Sequence, residues 1–408
     1  MDPHPTALPA LGSRALFPSL AAGIYLNHAG ISPPSALVAA AVQDALGAWA
    51  ELGSGAFPRF MLQRDRLKEQ LSGLIGATAR DLALRPNTTQ GVIDVAVSLQ
   101  WRPGERVLTF AGEFPANVTP WQQAAAAHNL RLERLPLDGF GDGSGDGLSR
   151  VEDALRGGGV RLIAVSAVQF RSGLRMPIAE LSALARRYDA ELFVDAIQAA
   201  GVVPLDGVAE QVDYLTCGSH KWLMGTDGNA FLYIAPSRVR TLRPLLAGWL
   251  SHEQATSFLF EGPDALRYDR PVRAQADFLE GGAQDSLGCV ALEAGIAPIL
   301  ELGVPNIYAH VQAYHDVLEP GLQALGFTSL RPAQHDARSG ILSVLPPPGL
   351  TAAALCSSLG AWGVVCATPD GALRFAPHWP NAIAEAATVL GVVEEVVRVL
   401  RHKGEHVH

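Results

Sequence analysis

"DYLTCGSHKWLMGTDGNAFLYI" occupies residues 213–234. Its ends, "DYLTC" and "AFLYI", are short apolar runs rich in aromatic and β-strand-forming residues, and between them a polar, Gly-containing turn carries Ser219, His220 and Lys221. Strand, turn and strand is the reading that composition supports. Upstream, "ELFVDA" (191–196), "RLIAVSAV" (161–168) and "RVLTF" (106–110) have the same texture, and amphipathic segments such as "PIAELSALARRYD" and "NVTPWQQAAAAHN" lie between such runs. Strands alternating with helices at this spacing predict an α/β domain on a largely parallel sheet. The odd residue is Lys221, a cation in a stretch otherwise poor in charge: it either snorkels to water or has covalent chemistry to perform.

Working outward, residues 39–74 read as helix interrupted at "LGSGAFP", and a second long helical pattern covers 287–301. After Phe260 the sequence turns polar and Pro-interrupted before a second α/β-like region, which places a domain boundary near 265–285. The division expected is an N-terminal segment 1–20, a large domain 21–275, and a connecting helix with a smaller C-terminal α/β domain over 276–408. "GFGDGSGDGLS" (139–149) reads as a mobile surface loop. The chain has 408 residues, 48% of them hydrophobic and 17% charged, with a formal net charge of -9 and no basic stripe. That pattern argues against nucleic acid or an anionic membrane as partner and leaves small molecules. No apolar run reaches membrane-spanning length and no secretory signal opens the chain, so a cytoplasmic location is expected. Four irregularly spaced cysteines, 217, 289, 356 and 366, form no disulfide framework or C-x-x-C metal pair. The histidine-bearing end "RHKGEHVH" reads as a frayed tail rather than a designed metal site, and no metal is expected.

Three sequence features address one small molecule. "FVDAIQAAG" ends a strand with Asp195 and sets Gln198 three residues on; the next strand leads to Lys221; "RPNTTQGVIDVAVSL" puts Thr88 and Thr89 where a helix begins. Neighbouring strand ends meet at the carboxyl edge of such a sheet. Pyridoxal 5'-phosphate requires all three: a lysine amine to condense with its aldehyde, a carboxylate to keep its pyridine nitrogen protonated, and a helix N-terminus with a hydroxyl for its phosphate. Taken singly, Lys221 would be a solvated side chain, Asp195 a strand-end cap, Thr88 and Thr89 a helix cap, Phe114 core, and Arg374 a surface arginine on an edge strand. Their joint occurrence gives the functional reading its weight.

With these elements the chain resembles the class V aminotransferases of fold type I, a family that includes cysteine desulfurases, kynureninases and isopenicillin N epimerase-like enzymes. The resemblance runs in order over nearly the whole chain: "YLNHAG" (25–30), "NTTQG", "EFPANVTPW" (113–121), "VDAIQAAG", "GSHKWL", "EGGAQD" (280–285) and "LRFAPHWPN" (373–381). It implies that Lys221 holds the cofactor as a Schiff base and later moves the Cα proton, and that Asp195 pairs with the pyridine nitrogen. Gln198 would bond the ring oxygen or the imine, Phe114 would stack on the ring, and Thr88, Thr89, Ser219 and His220 would hold the phosphate. Several members place the phosphate-binding serine one position earlier, where Gly218 stands here. Arg374 would take the substrate carboxylate, with Asn27 and His28 on the substrate side. Gly282 and Ala283 would complete the partner's site in a homodimer.

Departures from the family pattern narrow the reaction. A cysteine desulfurase needs a thiolate on a mobile loop, whereas Cys366 in "WGVVCATPDGALR" ends an apolar run, lacks a flanking histidine and stands only eight residues before Arg374. Phe170 in "VQFRSG" stands where many desulfurases carry asparagine, and Ala283 replaces a common threonine. The expected activity is transamination of an amino acid. A lyase, hydrolase or epimerase on the same scaffold, or a binding protein without catalysis, is the alternative.

Overall fold

A computed structural model describes residues 7–405; the last three residues of the histidine-bearing tail lie outside them. Strand β1 (Ile24–Tyr25) precedes helices α1 (Ala36–Leu52) and α2 (Phe57–Ile75), which a single 3-10 turn over "GSGA" separates. Ser35 caps α1 by accepting from Val38 N at 3.3 Å, and α2 stops at Gly76, whose φ of 73° suits the left-handed cap. The alternating region follows: β2 (Leu82–Arg85), α3 (Thr88–Ser98), β3 (Arg106–Phe110), α4 (Thr119–His128), β4 (Arg131–Leu135), α5 (Asp146–Arg156), β5 (Val160–Ser166), α6 (Ile178–Arg187), β6 (Glu191–Asp195), β7 (Tyr214–Gly218), β8 (Ala230–Ile234) and the one-turn α7 (Pro236–Val239).

These strands make one seven-stranded sheet in the order β2-β8-β7-β6-β5-β3-β4. From β7 through β4 every pairing is parallel, while β8 runs antiparallel to both β7 and β2. β8 runs antiparallel because the β7–β8 connection, residues 219–229, contains no helix to carry a parallel crossover. Successive side chains of a strand enter different layers: Leu192 and Val194 of β6 join one apolar core and Phe193 the other, and β5 sends Ile163 and Val165 to the first and Leu162 and Ala164 to the second. Burial on both faces explains why these strands read as continuous apolar runs.

The remainder is α8 (Ser286–Leu302), α9 (Val304–Ala324), β9 (Thr328–Ser329), β10 (Leu342–Leu345), α10 (Ala352–Ala361), β11 (Val364–Val365), β12 (Leu373–Phe375) and α11 (Glu385–Glu405). Strands β12, β10 and β9 form an antiparallel sheet. Here the core divides differently from the sequence boundary at 265–285. Cys289, Leu292, Ile296 and Ile299 of α8, with Ile307 and Val311 of α9, belong to the core of the large sheet, and the second core starts at Tyr314, Leu318 and Leu322 further along α9. Ile24 and Leu26 also lie in that second core, and β1 pairs in parallel with β11. Leu16 and Phe17, just before β1, pack in the core of the large sheet, so the N-terminal segment touches both cores. No single described helix is long and apolar enough to cross a membrane. Among the described residues no three His, Cys, Asp or Glu side chains gather as metal ligands.

Candidate active site

A cavity of about 550 Å³ opens at the carboxyl ends of the parallel strands, lined by Thr88, Thr89, Phe114, Phe170, Asp195, Gln198, His220, Lys221 and Arg374 together with Ala29, Gly30, Asn87, Ala116, Ile197, Ala367 and Pro369. The fold delivers them from separate elements. Asp195 is the last residue of β6, Lys221 stands three residues beyond the end of β7, Thr88 opens α3, and Arg374 is central in β12 of the second domain.

Electrostatics at this edge are set mainly by burial. Desolvation lifts the Asp195 carboxyl to about 7; the Ile197 N–H, which donates to it at 2.9 Å, opposes the rise, the buried Glu113 adds to it, and Lys221 opposes it. Burial lowers the Lys221 amine to about 8, against the attraction of Asp195 and with the repulsion of Arg374. Burial likewise lowers Arg374 to about 10. Its Nη1 donates to the Phe170 carbonyl at 2.9 Å, its Nε has no protein partner, and no ion pair among the described residues includes it. A buried guanidinium left without a carboxylate is costly unless a ligand supplies one.

Glu113, which sequence reading passed over inside "EFPAN", anchors the loop that carries Phe114. Its carboxylate accepts from Ser166 N at 2.7 Å, from the Ser166 hydroxyl, from Gln169 Nε2 at 2.9 Å and from Asn117 Nδ2 at 3.3 Å. The Phe114 ring is held edge-on to Phe170, with centroids 5.3 Å apart, and Lys221 Nζ lies 5.5 Å from its centre. Although so placed, Phe114 is 45% exposed, an uncovered ring at the cavity wall.

Six expected site residues stand elsewhere or are otherwise engaged. Ser219 is fully buried, donates its hydroxyl to the Thr226 carbonyl and does not line the cavity. At the neighbouring position, a Cβ built on Gly218 would come within 2.8 Å of Thr88 Oγ1. His28 is buried outside the cavity: its Nδ1 bonds Ser32 Oγ at 2.7 Å, and Ser32 donates to the Lys221 carbonyl at 2.6 Å, so the pair braces the lysine backbone. Asn27 folds its amide behind Gly30, pairs its backbone with Ala376 and stays off the cavity wall. Gln198 reaches the wall, but its amide already donates to the Ala29 carbonyl at 3.0 Å and accepts from Trp222 Nε1 at 2.8 Å. Gly282 and Ala283, in the loop before α8, lie outside the cavity of their own chain.

The residues present fit pyridoxal 5'-phosphate. Thr88 Oγ1 is buried with no hydrogen-bond partner, at the first turn of a helix whose leading N–H groups have no intrahelical acceptor. Asn87 Oδ1 caps that helix on Gln90 N at 2.8 Å. An orphaned hydroxyl at an anion-favouring helix end, a lowered lysine amine, an acid at the strand end and an uncovered aromatic ring match the phosphate, aldehyde, pyridine nitrogen and ring face.

Comparison with known proteins agrees. The family model "Aminotransferase class-V" matches residues 24–368. The isopenicillin N epimerase of Streptomyces clavuligerus is 30% identical over 71% of this chain and 72% of its own length. An uncharacterized aminotransferase of Bacillus subtilis, YcbU, is 26% identical over 96% of this chain and 98% of its own. The apo structure of a cysteine desulfurase from Thermococcus onnurineus superposes with a TM-score of 0.81 at 24% identity, covering 92% of this chain and 94% of that one, which establishes the shared fold. The chain belongs to the class V aminotransferase family, fold type I enzymes whose cofactor is pyridoxal 5'-phosphate.

Proposed function

We propose that this protein removes the Cα proton of an amino acid and completes a transamination. The observation that carries the reading is the pairing, across one cavity, of the lowered Lys221 amine with the buried and otherwise unpaired Arg374 guanidinium. Arg374 would receive the substrate carboxylate through two parallel N–H bonds and so fix the Cα–H near Lys221. Thr88 and the N-terminus of α3 would hold the cofactor phosphate, Phe114 would cover one ring face, and Asp195 would meet the pyridine nitrogen. The bound cofactor supplies an electron sink for the charge left at Cα. Lys221, with an amine near neutrality, serves as the base that takes the proton and returns it.

Desulfuration fits less well. The Cys366 thiol does not line the cavity; it points at Cys356 Sγ, 3.7 Å away, within the second core. Cys366→Ser should therefore keep most turnover, and a cyanide-releasable persulfide on Cys366 after incubation with cysteine would reverse the reading. A two-fold homodimer completes the proposal. Leu46, Trp49 and Leu52 share one exposed face of α1 beside the exposed Phe57 and Leu62 of α2, an apolar surface suited to a second copy. The test of activity is a panel of amino acids with pyruvate or 2-oxoglutarate as acceptor. Acceptor-dependent conversion to the 2-oxo acid supports transamination. Release of ammonia, sulfide or alanine without acceptor would identify a lyase or hydrolase, loss of optical activity alone an epimerase, and no conversion of any kind a binding protein.

A further inference from the structure

Of the four cysteines, two form a pair. Cys356 lies midway along α10, partly exposed, and Cys366 follows β11, nearly buried. Their sulfurs are 3.7 Å apart, with the Cys366 S–H directed at Cys356 Sγ and the Cys356 sulfur within 3.5 Å of the Cys366 carbonyl. We propose that Cys356 and Cys366 are an oxidation site that closes to an intramolecular disulfide, with hydrogen peroxide or another hydroperoxide as the oxidant. Closure requires the sulfurs, already 3.7 Å apart, to approach by less than about 2 Å.

The roles of the two thiols differ. Hydrogen bonding from Cys366 favours the thiolate of Cys356 and lowers it, while the same bond and burial raise Cys366. Cys356 is thus the more accessible and the more nucleophilic sulfur. Its thiolate attacks one peroxide oxygen, the O–O bond breaks, and the departing hydroxide takes up the proton that the Cys356 thiol released and leaves as water, giving a sulfenic acid at Cys356. The Cys366 sulfur then attacks the Cys356 sulfur, the S–O bond breaks, and the hydroxide leaves with the Cys366 proton as a second water. Two thiols lose two electrons in all, and the peroxide is reduced to two waters. Cys217 and Cys289 are each 1% exposed, and burial raises both thiols, so they remain reduced under the same treatment.

The bond would act on the wall of the cavity. Residue 367 follows Cys366 directly, and its backbone pairs twice with Arg374: Arg374 N donates to the Ala367 carbonyl at 2.8 Å, and Ala367 N to the Arg374 carbonyl at 3.2 Å. Ala367, Pro369 and Arg374 all line the cavity. A disulfide from Cys366 to α10 would tether this two-bond ladder to a helix and suppress its local opening. The formation of the bond is independent of the proposed reaction; only the naming of Arg374 as a carboxylate clamp rests on it.

The experiment treats the cofactor-loaded protein and its Cys356→Ser variant with hydrogen peroxide and reads out disulfide mapping by mass spectrometry and amide hydrogen exchange. Expected is a single 356–366 crosslink with free Cys217 and Cys289, and exchange at the Ala367 and Arg374 amides slowed about tenfold in the native sequence but unchanged in the variant. All four thiols persisting, or oxidation of Cys217 or Cys289 ahead of the pair, would overturn the site. A crosslink with unaltered exchange at 367 and 374 would overturn its coupling to the cavity. Neither readout uses turnover, so failure of the transaminase reading would appear separately, in the acceptor panel.

Discussion

Lys221 must be neutral to condense with an aldehyde, and burial lowers its amine to about 8. Below that value the neutral fraction grows about tenfold per pH unit, and above it the fraction levels off. The rate at which cofactor-free protein takes up pyridoxal 5'-phosphate, followed by absorbance, should therefore climb through neutrality and flatten above about pH 8; a rate still climbing nearly tenfold per unit at about pH 9 would mean an ordinary solvated lysine. Arg374 makes a different prediction. Arg374→Ala removes a charge-assisted bond of roughly 1.5–3 kcal/mol, so amino acid affinity should fall about ten- to a hundredfold while the cofactor spectrum is retained. Equal affinity in the variant would place the substrate carboxylate elsewhere. That Lys221, Asp195, Thr88, Phe114 and Arg374 would share one site was legible in the sequence from residue type and order, and they line one cavity. The directions of Ser219, His28 and Gln198 were not legible, because neighbouring polar residues look alike until the backbone decides which way they point: Ser219 turns to Thr226, His28 to Ser32, and Gln198 to Trp222.

The helix that presents Thr88 is seated on the sheet at Gly91. A Cβ at that position would lie 2.3 Å from Thr216 Oγ1, and Thr216 cannot easily turn aside because it is fully buried and bonds the Phe231 carbonyl at 3.1 Å. Gly91→Ala should therefore lower stability by roughly 1–3 kcal/mol through overpacking and loosen the cofactor by shifting α3 off β7, measured by denaturant unfolding and a binding titration. A variant as stable as the parent, with undiminished cofactor affinity, would show that α3 has room to move. Among the elements, β3 and β8 matched their apolar runs residue for residue, and "LGSGAFP" marked the break between α1 and α2. The antiparallel course of β8 and the strand β2 were not read, since apolar runs encode burial and leave strand direction to the connection.

In the whole molecule, the cavity draws on both domains, with Lys221, Asp195 and Thr88 from the large sheet and Arg374 from β12. The expected homodimer should sediment as a dimer at micromolar concentration, and Trp49→Glu together with Phe57→Glu should shift it toward monomer with loss of activity; a fully active monomer would remove Gly282 and Ala283 from the partner's site. β1 and the second half of α9 join the C-terminal core, which the sequence could not show because apolar periodicity tells that a face is buried without telling against what. The central claim, that one lysine carries the cofactor, is tested most directly by borohydride reduction of the loaded protein followed by peptide mapping. A pyridoxyl group on Lys221 alone is the predicted result, and a label on another lysine, or none after full reconstitution, would contradict it.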